Sequence, residues 1–330
     1  HNVCTSMQLL ESRGSFSNGV EDIEDIQLVL CCGLDIIFFM LSNLPEDLMP
    51  VAPFVTLVLS SSLKPLPFIT ATISSMSFQN SALQVSAARA LSVLCFTAHR
   101  VQPQLMENGS FLVDGSEIWK LQASISQILD KEDDTNNCLI VAIFSLLTSV
   151  ARYQPALFVS LTEENAMIQA DHSNSANSQT NGSSTLNSSR SNSRLVEQML
   201  GYIENSTEFM NSSPSLLLSI LDLLEALWES GVQFICILDK LRSSRTFWES
   251  LSRCIRGTFD HCPVDTVDEK VSSRYNCQAK IFKIMSHELF LKGRLLVEAK
   301  TSNPVADGTT GQKEPSASSP SNAVCKWFDS

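Results

Sequence analysis

This sequence predicts an all-α fold, arranged as an irregular α-solenoid of stacked antiparallel helix pairs of the HEAT or armadillo kind, with a disordered Ser/Asn-rich loop. Three observations predict it. Apolar residues recur every three or four positions in segment after segment, which is the period of a helix with one buried face. No period-two alternation persists over several segments, so strands are not expected. Hydrophobic residues make up 44% of the 330 and charged residues only 18%, enough apolar mass to bury a sizeable core. No strict internal repeat is visible, so the pairs are expected to be unequal in length. A closed helical bundle is the competing arrangement.

The first helix is expected over 21–43. Glu21, Asp22, Glu24 and Asp25 suit the positive end of its dipole, and the run continues to Ile36-Ile37-Phe38-Phe39-Met40-Leu41. Asp35 interrupts the apolar stretch before it reaches the roughly 18–20 residues of a membrane span, so a helix buried on most sides is expected. Prolines 45, 50, 53, 65 and 67 then bracket a short helix near 51–62. Residues 80–98 carry Leu83, Ala87, Leu91 and Leu94 on one stripe, and Ala87, Ala88 and Ala90 permit close approach of a neighbour. Ser116 is the expected N-cap of a helix at 117–131 with the stripe Ile118, Leu121, Ile125 and Ile128. Asp133 or Asp134 starts the next, whose face holds Ile140, Phe144, Leu147 and Val150, and a brief apolar piece runs from Pro155 to Leu161.

Residues 171–193 change character. Serine and asparagine dominate and Leu186 is the one large hydrophobe, too little to offset the entropy of ordering. A disordered linker is expected there, between an N-terminal helical block at 1–170 and a second block at 194–300. The second block opens on Leu195, Met199 and Ile203. Ser213-Pro214 pairs a capping side chain with proline at the first helical position. Leu217, Ile220 or Leu221, Leu224 and Leu227 then form a buried stripe that Gly231 is placed to end. Shorter helices follow at Val232–Leu241 and through Phe247, Trp248, Leu251, Ile255 and Phe259. A long helix at 266–299 carries Val271, Tyr275, Ile281, Ile284, Met285, Leu289 and Leu295. A flexible segment at 301–323 and a resuming apolar segment at 324–330 complete the chain. The start at His1 and the apolar residues at the other end suggest a piece of a longer protein, and no signal peptide is expected at its start.

Little in the composition points to chemistry. The net charge of -12 argues against a general nucleic-acid binder, which needs cations to match phosphates. Of the ten cysteines, Cys31, Cys95, Cys138, Cys236 and Cys277 sit in apolar helical patterns and read as small hydrophobes in a reducing compartment. Sequons at Asn108, Asn181, Asn187, Asn205 and Asn211 lie mostly in or beside Ser/Asn-rich sequence that generates them by chance. There is no Gly-rich phosphate loop and no GxSxG, HExxH or CxxC motif. His261-Cys262, with Cys254 and Cys277, comes nearest to a metal cluster. Its spacings of eight and fifteen residues are not the close pairs that zinc uses. His99 beside Arg100 reads as a basic helix end, and neither His172 nor His287 forms a specific pair with a cysteine. No catalytic residue, cofactor or metal ligand is therefore expected.

Two features of the second block bear on binding. Residues 1–165 hold 7 basic and 17 acidic side chains, whereas 166–330 hold 16 and 18. Within 240–256, Lys240, Arg242, Arg245, Arg253 and Arg256 meet only Glu249, a candidate docking patch for an acidic partner or else a solvated face. Trp228, Phe247 and Trp248 are aromatic anchors whose helical spacing favours core over hot spot.

The run Ser213–Gly257, SPSLLLSILDLLEALWESGVQFICILDKLRSSRTFWESLSRCIRG, carries a resemblance. Its apolar helix ends in Leu227-Trp228, the next contains Leu238-Asp239-Lys240-Leu241-Arg242, and Phe247-Trp248 opens a third. It resembles the large α-helical scaffold nucleoporins, of the 188-kilodalton inner-ring type and plant-like in style. The resemblance implies a non-enzymatic fragment of a nuclear-pore scaffold at the nuclear envelope. It would bind other inner-ring nucleoporins and linker nucleoporins, without a small-molecule substrate, direct nucleic-acid contact or a membrane span. Phe-Gly repeats are absent, so the piece would be framework and not permeability barrier. A HEAT or armadillo adaptor of a transport or degradation pathway is the alternative, and a helical-bundle enzyme a more distant one.

Overall fold

The computed structural model describes residues 20–59, 67–101, 115–130, 137–163, 194–256 and 269–301. Every regular element among them is helical, with no strand among the described residues. The chain divides into two compact units, His1–Gln198 and Met199–Ser330. The expected linker at 171–193 and the expected segments from 302 onward lie outside the described residues.

The first unit is organised around one helix. Its elements are α1 (Val20–Ser42), a 3-10 turn (Glu46–Val51), α2 (Pro53–Leu59), α3 (Pro67–Ser75) and α4 (Ser81–Val101). They continue with α5 (Gly115–Leu129), α6 (Asn137–Tyr153) and α7 (Pro155–Thr162). Helix α4 packs against both α1 and α6. Ala87, Ala88 and Ala90 are wholly buried on it, so two helices approach where longer side chains would hold them off. Leu83, Leu91 and Leu94 complete the expected stripe, and Ile140, Phe144, Leu147 and Val150 of α6 are all buried. Ser92 and Ser149 meet at 2.6 Å across the α4–α6 contact. Asn80 caps α4, its Oδ1 accepting from the Leu83 N–H, while its Nδ2 donates to Gln27 Oε1 of α1 at 2.7 Å. On α5 the helix already begins at Gly115, so Ser116 lies inside the helix and not at its cap.

Helix α1 departs from expectation. Leu30, Leu34 and Leu41 are buried, but Leu28, Val29, Ile36, Phe39 and Met40 are exposed. It is not buried on most sides, because α4 covers one face and the apolar residues occupy two.

Helix α8 (Arg194–Glu204) holds the division between the units. The second unit adds α9 (Ser206–Ser212), α10 (Pro214–Glu229), a 3-10 turn (Gly231–Phe234), α11 (Ile235–Ser243), α12 (Arg245–Arg256) and α13 (Glu269–Thr301). Helix α10 packs along α13, and Leu216, Leu217, Ile220, Leu221, Leu223, Leu224 and Leu227 are buried on nearly every side of it. Pro214 occupies its first turn as expected, though the Ser213 hydroxyl makes no capping bond. Gly231 follows the C-cap Ser230, where α10 ends as expected, and its missing side chain has a second use. The helix stops at Glu229, and a Cβ on Gly231 would lie only 2.5 Å from Leu291 of α13. The glycine admits a neighbouring helix.

The aromatic anchors also separate. Trp228 and Phe247 are buried and stacked, with centroids 5.5 Å apart and planes 12° from parallel. Trp248 stands edge-on to both and is only half-buried, so it borders the core that was expected to enclose it. Trp228→Ala is expected to lower stability by about 3–5 kcal/mol and Trp248→Ala by roughly half as much, read from urea denaturation midpoints.

Candidate functional site

Two kinds of feature stand out: a charged seam inside the second unit, and apolar helix faces open to solvent. The seam lies where α10 meets α13. Glu288 of α13 is wholly buried. Its Oε2 accepts from Trp228 Nε1 at 2.9 Å and from Arg242 Nε and Nη2 at 2.9 and 2.7 Å. Lys292 Nζ stands 3.5 Å from the other oxygen. A buried carboxylate is tolerated only when paired and hydrogen-bonded, and here α10, α11 and α13 all contribute.

A second carboxylate repeats the pattern along the same helix pair. Glu225 of α10 is 1% exposed and pairs with Lys280 and Lys283 of α13. Lys280 also reaches Asp222 at 2.7 Å, and Lys283 reaches Glu229 at 3.3 Å. Burial pushes the Glu225 carboxyl up, but the hydrogen bonds and charges of the two lysines outweigh it and hold it below its ordinary 4.5. Burial pulls Lys280 down, and its bonds to Asp222 and Glu225 more than reverse that. The bond to Glu225 raises Lys283. These groups are consumed in holding helices together, an arrangement that supplies packing and not a poised acid or base.

One member of the expected basic cluster leaves the surface. Arg242 turns inward to Glu288 and donates through Nη1 to Asp239 at 2.8 Å, leaving its side chain 16% exposed. Arg253 pairs with Glu249 one turn away at 2.5 Å. Lys240, Arg245 and Arg256 are exposed. Proximity in sequence suggested a patch, but α11 sends Arg242 toward α13. The partner that fixes its direction lies 46 residues away, beyond any local signal.

The cysteines divide by position. All seven described ones are free thiols. Burial pushes Cys95 up to about 12, and burial, with Cys254 and Asp222 nearby, pushes Cys277 to about 12. Cys254 is also buried and raised. Cys138 and Cys236, expected in apolar packing, are exposed, as is Cys32, while Cys31 is half-buried. His261 and Cys262 lie outside the described residues, and among those described no group of three His, Cys, Asp or Glu could hold a metal. His99 ends α4 beside Arg100, which pairs with Glu46 at 2.8 Å. His172 lies outside the described residues. An open depression of about 630 Å³, lined by Glu24, Gln27, Leu28, Cys31 and Gln79 to Ala82, is walled mainly by polar side chains.

The apolar faces are the larger feature. On α1, Leu28, Cys32, Ile36 and Phe39 recur at helical spacing and are exposed, opposite the Leu30, Leu34 and Leu41 face. On α13, Cys277, Ile281, Ile284 and Leu291 are buried, while Tyr275, Phe282, Leu289 and Phe290 are exposed on the other side. The sequence names Tyr275 and Leu289 in one apolar series with Ile281 and Ile284, without dividing the faces. Periodicity alone merges two opposite stripes of one helix. Both α1 and α4 are long and apolar enough to cross a membrane, but α4 is mostly buried in its own unit.

The stability supplied by Glu225 is fully present above pH 4.5 and lost as pH falls through its lower folded value. That supplied by Lys280 and Lys283 is present below 10.5 and lost as pH rises through their higher folded values. Urea midpoints measured across pH should therefore fall at both extremes, and Glu225→Gln should flatten both falls while lowering the plateau. Alkylation at neutral pH followed by peptide mapping should label Cys32, Cys138 and Cys236 and spare Cys95, Cys254 and Cys277.

Comparison with protein-family models, with curated proteins and with solved structures finds no match.

Proposed function

We propose that this chain is a structural scaffold whose helices stack as irregular antiparallel pairs of solenoid type and receive further helices on their open apolar faces. One observation carries the reading. Helices α1 and α13 each bury one apolar face within their own unit and expose a second on the opposite side. A soluble helix needs one such face, and a second is what stacking requires, because each layer is covered by the one before and the one after. An adaptor of HEAT or armadillo type would share this feature.

The resemblance over Ser213–Gly257 supports the narrower reading: a scaffold piece of the nuclear-pore inner ring, at the nuclear envelope, bound to other inner-ring and linker nucleoporins. In this reading the chain is not an enzyme and uses no cofactor, small-molecule substrate or direct nucleic-acid contact. The structural use of Glu225, Glu288, Lys280 and Arg242 supports that view, as does the net charge of -12. The α1 face then receives an amphipathic partner helix and does not cross a membrane, in keeping with Glu24, Asp25 and Asp35 along it.

A tagged chain should concentrate at the nuclear rim, and Phe39→Glu should disperse it while leaving the circular-dichroism spectrum of the purified protein unchanged. Diffuse cytosolic signal from the parent sequence would favour the adaptor. Binding of the purified chain to neutral lipid vesicles, abolished by Phe39→Glu, would replace the partner helix with a membrane.

A further inference from the structure

Along the open side of α13 one line of exposed residues is Tyr275, Ala279, Phe282, Ser286, Leu289 and Gly293, flanked by exposed Asn276, Lys283, Phe290 and Arg294. The steps along that line are four, three, four, three and four, the spacing of a two-helix seam. Large and small residues alternate along it without exception: Tyr, Phe and Leu at one set of positions, Ala, Ser and Gly at the other. Among the described residues, the contact with the rest of the unit is made from the opposite side, by Cys277, Ile281, Ile284, Glu288 and Leu291. Gly293 is the clearest sign. Glycine is the poorest helix former after proline, and a Cβ there would meet nothing within 4 Å. Neither backbone conformation nor packing among the described residues explains it, whereas a bulky side chain arriving from outside does.

We infer that the occupant is a second copy of this chain, its α13 running antiparallel across a twofold axis at the level of Ile284. That axis sets Tyr275 opposite Gly293, Phe282 opposite Ser286, and Leu289 opposite Ala279, each pair being centred on position 284. Every layer then holds one large and one small residue, so the two backbones stay evenly spaced. A parallel pair would instead stack large on large and small on small, with a void at each glycine or alanine layer. The face is thus complementary to itself in one direction only, as a twofold interface must be.

Area and charge agree with this. Tyr275, Phe282, Leu289 and Phe290 are 59%, 55%, 38% and 64% exposed. With aromatic side chains of about 150–250 Å², they offer on the order of 400 Å² per copy. Two copies with their flanking residues bury roughly 1,000 Å², the lower edge of specific interfaces, so a reversible dimer is expected. Lys283 beside the seam is already matched by Glu225 and Glu229, so two copies meet without bringing unpaired cations together.

The test is sedimentation equilibrium on the full chain from about 1 to about 100 µM, the range in which an interface of this size associates. The parent should pass from monomer to dimer. Phe282→Glu should stay monomeric with an unchanged helical spectrum. Gly293→Leu should be at least as stable to urea as the parent and yet monomeric, since it fills the space meant for Tyr275. In oxidised mixtures, copies carrying Tyr275→Cys should cross-link through that position to copies carrying Gly293→Cys and not to one another. A parent chain that stays monomeric throughout, a dimer that survives both substitutions, or Tyr275→Cys copies cross-linked to each other would each overturn the inference. None of these outcomes touches rim localisation, so this inference and the pore reading fail separately.

Discussion

Two buried carboxylates, Glu225 and Glu288, hold the second unit in register. An apolar helix pair such as α10 and α13 has many near-equivalent ways to slide, because leucines and isoleucines pack in several alignments. Slippage of α13 by one turn would move Lys280 and Lys283 away from Glu225 and Glu288 away from Trp228 and Arg242. Each displaced carboxylate would then be buried without its cations, which is among the most destabilising events a core can suffer. Such pairs add little net stability over hydrophobic isosteres. Their effect here is to penalise every alignment but one.

With that register set, the position of the rest follows. Trp228 is oriented by its bond to Glu288 and presents a flat face to Phe247, which brings α12 against α10. Arg242 draws α11 toward the same carboxylate. Leu291 seats against Gly231, closing the turn that follows α10. Once Ile281, Ile284 and Glu288 face inward, geometry leaves Tyr275, Phe282 and Leu289 facing outward. The open face of α13 is the other half of the same constraint.

Helix existence and most buried stripes were legible in the sequence, because a 3.6-residue period in apolar residues is a strong local signal. The α4 and α6 stripes, the Pro214 start and the tight Ala87–Ala90 contact all follow from it. What periodicity does not carry is which of two stripes is covered. In α1 and α13 the apolar residues populate opposite sides, so a pooled list mixed Tyr275 and Leu289 with Ile281 and Ile284. The same limit explains Arg242, Trp248 and Gly231. Their roles depend on Glu288, on the edge of a stack, and on Leu291, all contributed by elements remote in sequence. Arg242 leaves the candidate basic cluster because charge counted along a chain ignores where each side chain points. The apolar seam, by contrast, was present in the residue order at 275–293 and needed only the knowledge of which side was already occupied.

The two open faces differ in a way that bears on their occupants. On α1 the exposed series Leu28, Cys32, Ile36 and Phe39, flanked by Val29 and Met40, does not alternate large with small residues, and Gly33 lies toward its partly buried edge. Two copies of that face laid together would oppose bulk with bulk and hold the backbones apart, so it suits a groove or a helix with small residues. The α13 face alternates bulk with space and can close on itself. Leaving roughly 400 Å² of such surface in water forfeits about 10 kcal/mol of burial at 25 cal/mol per Å². Association returns that gain only after the loss of translational and rotational freedom, which is of comparable size. The balance leaves a contact that forms and separates readily, suited to a building block that joins like to like through α13 while α1 remains available to a partner of a different kind.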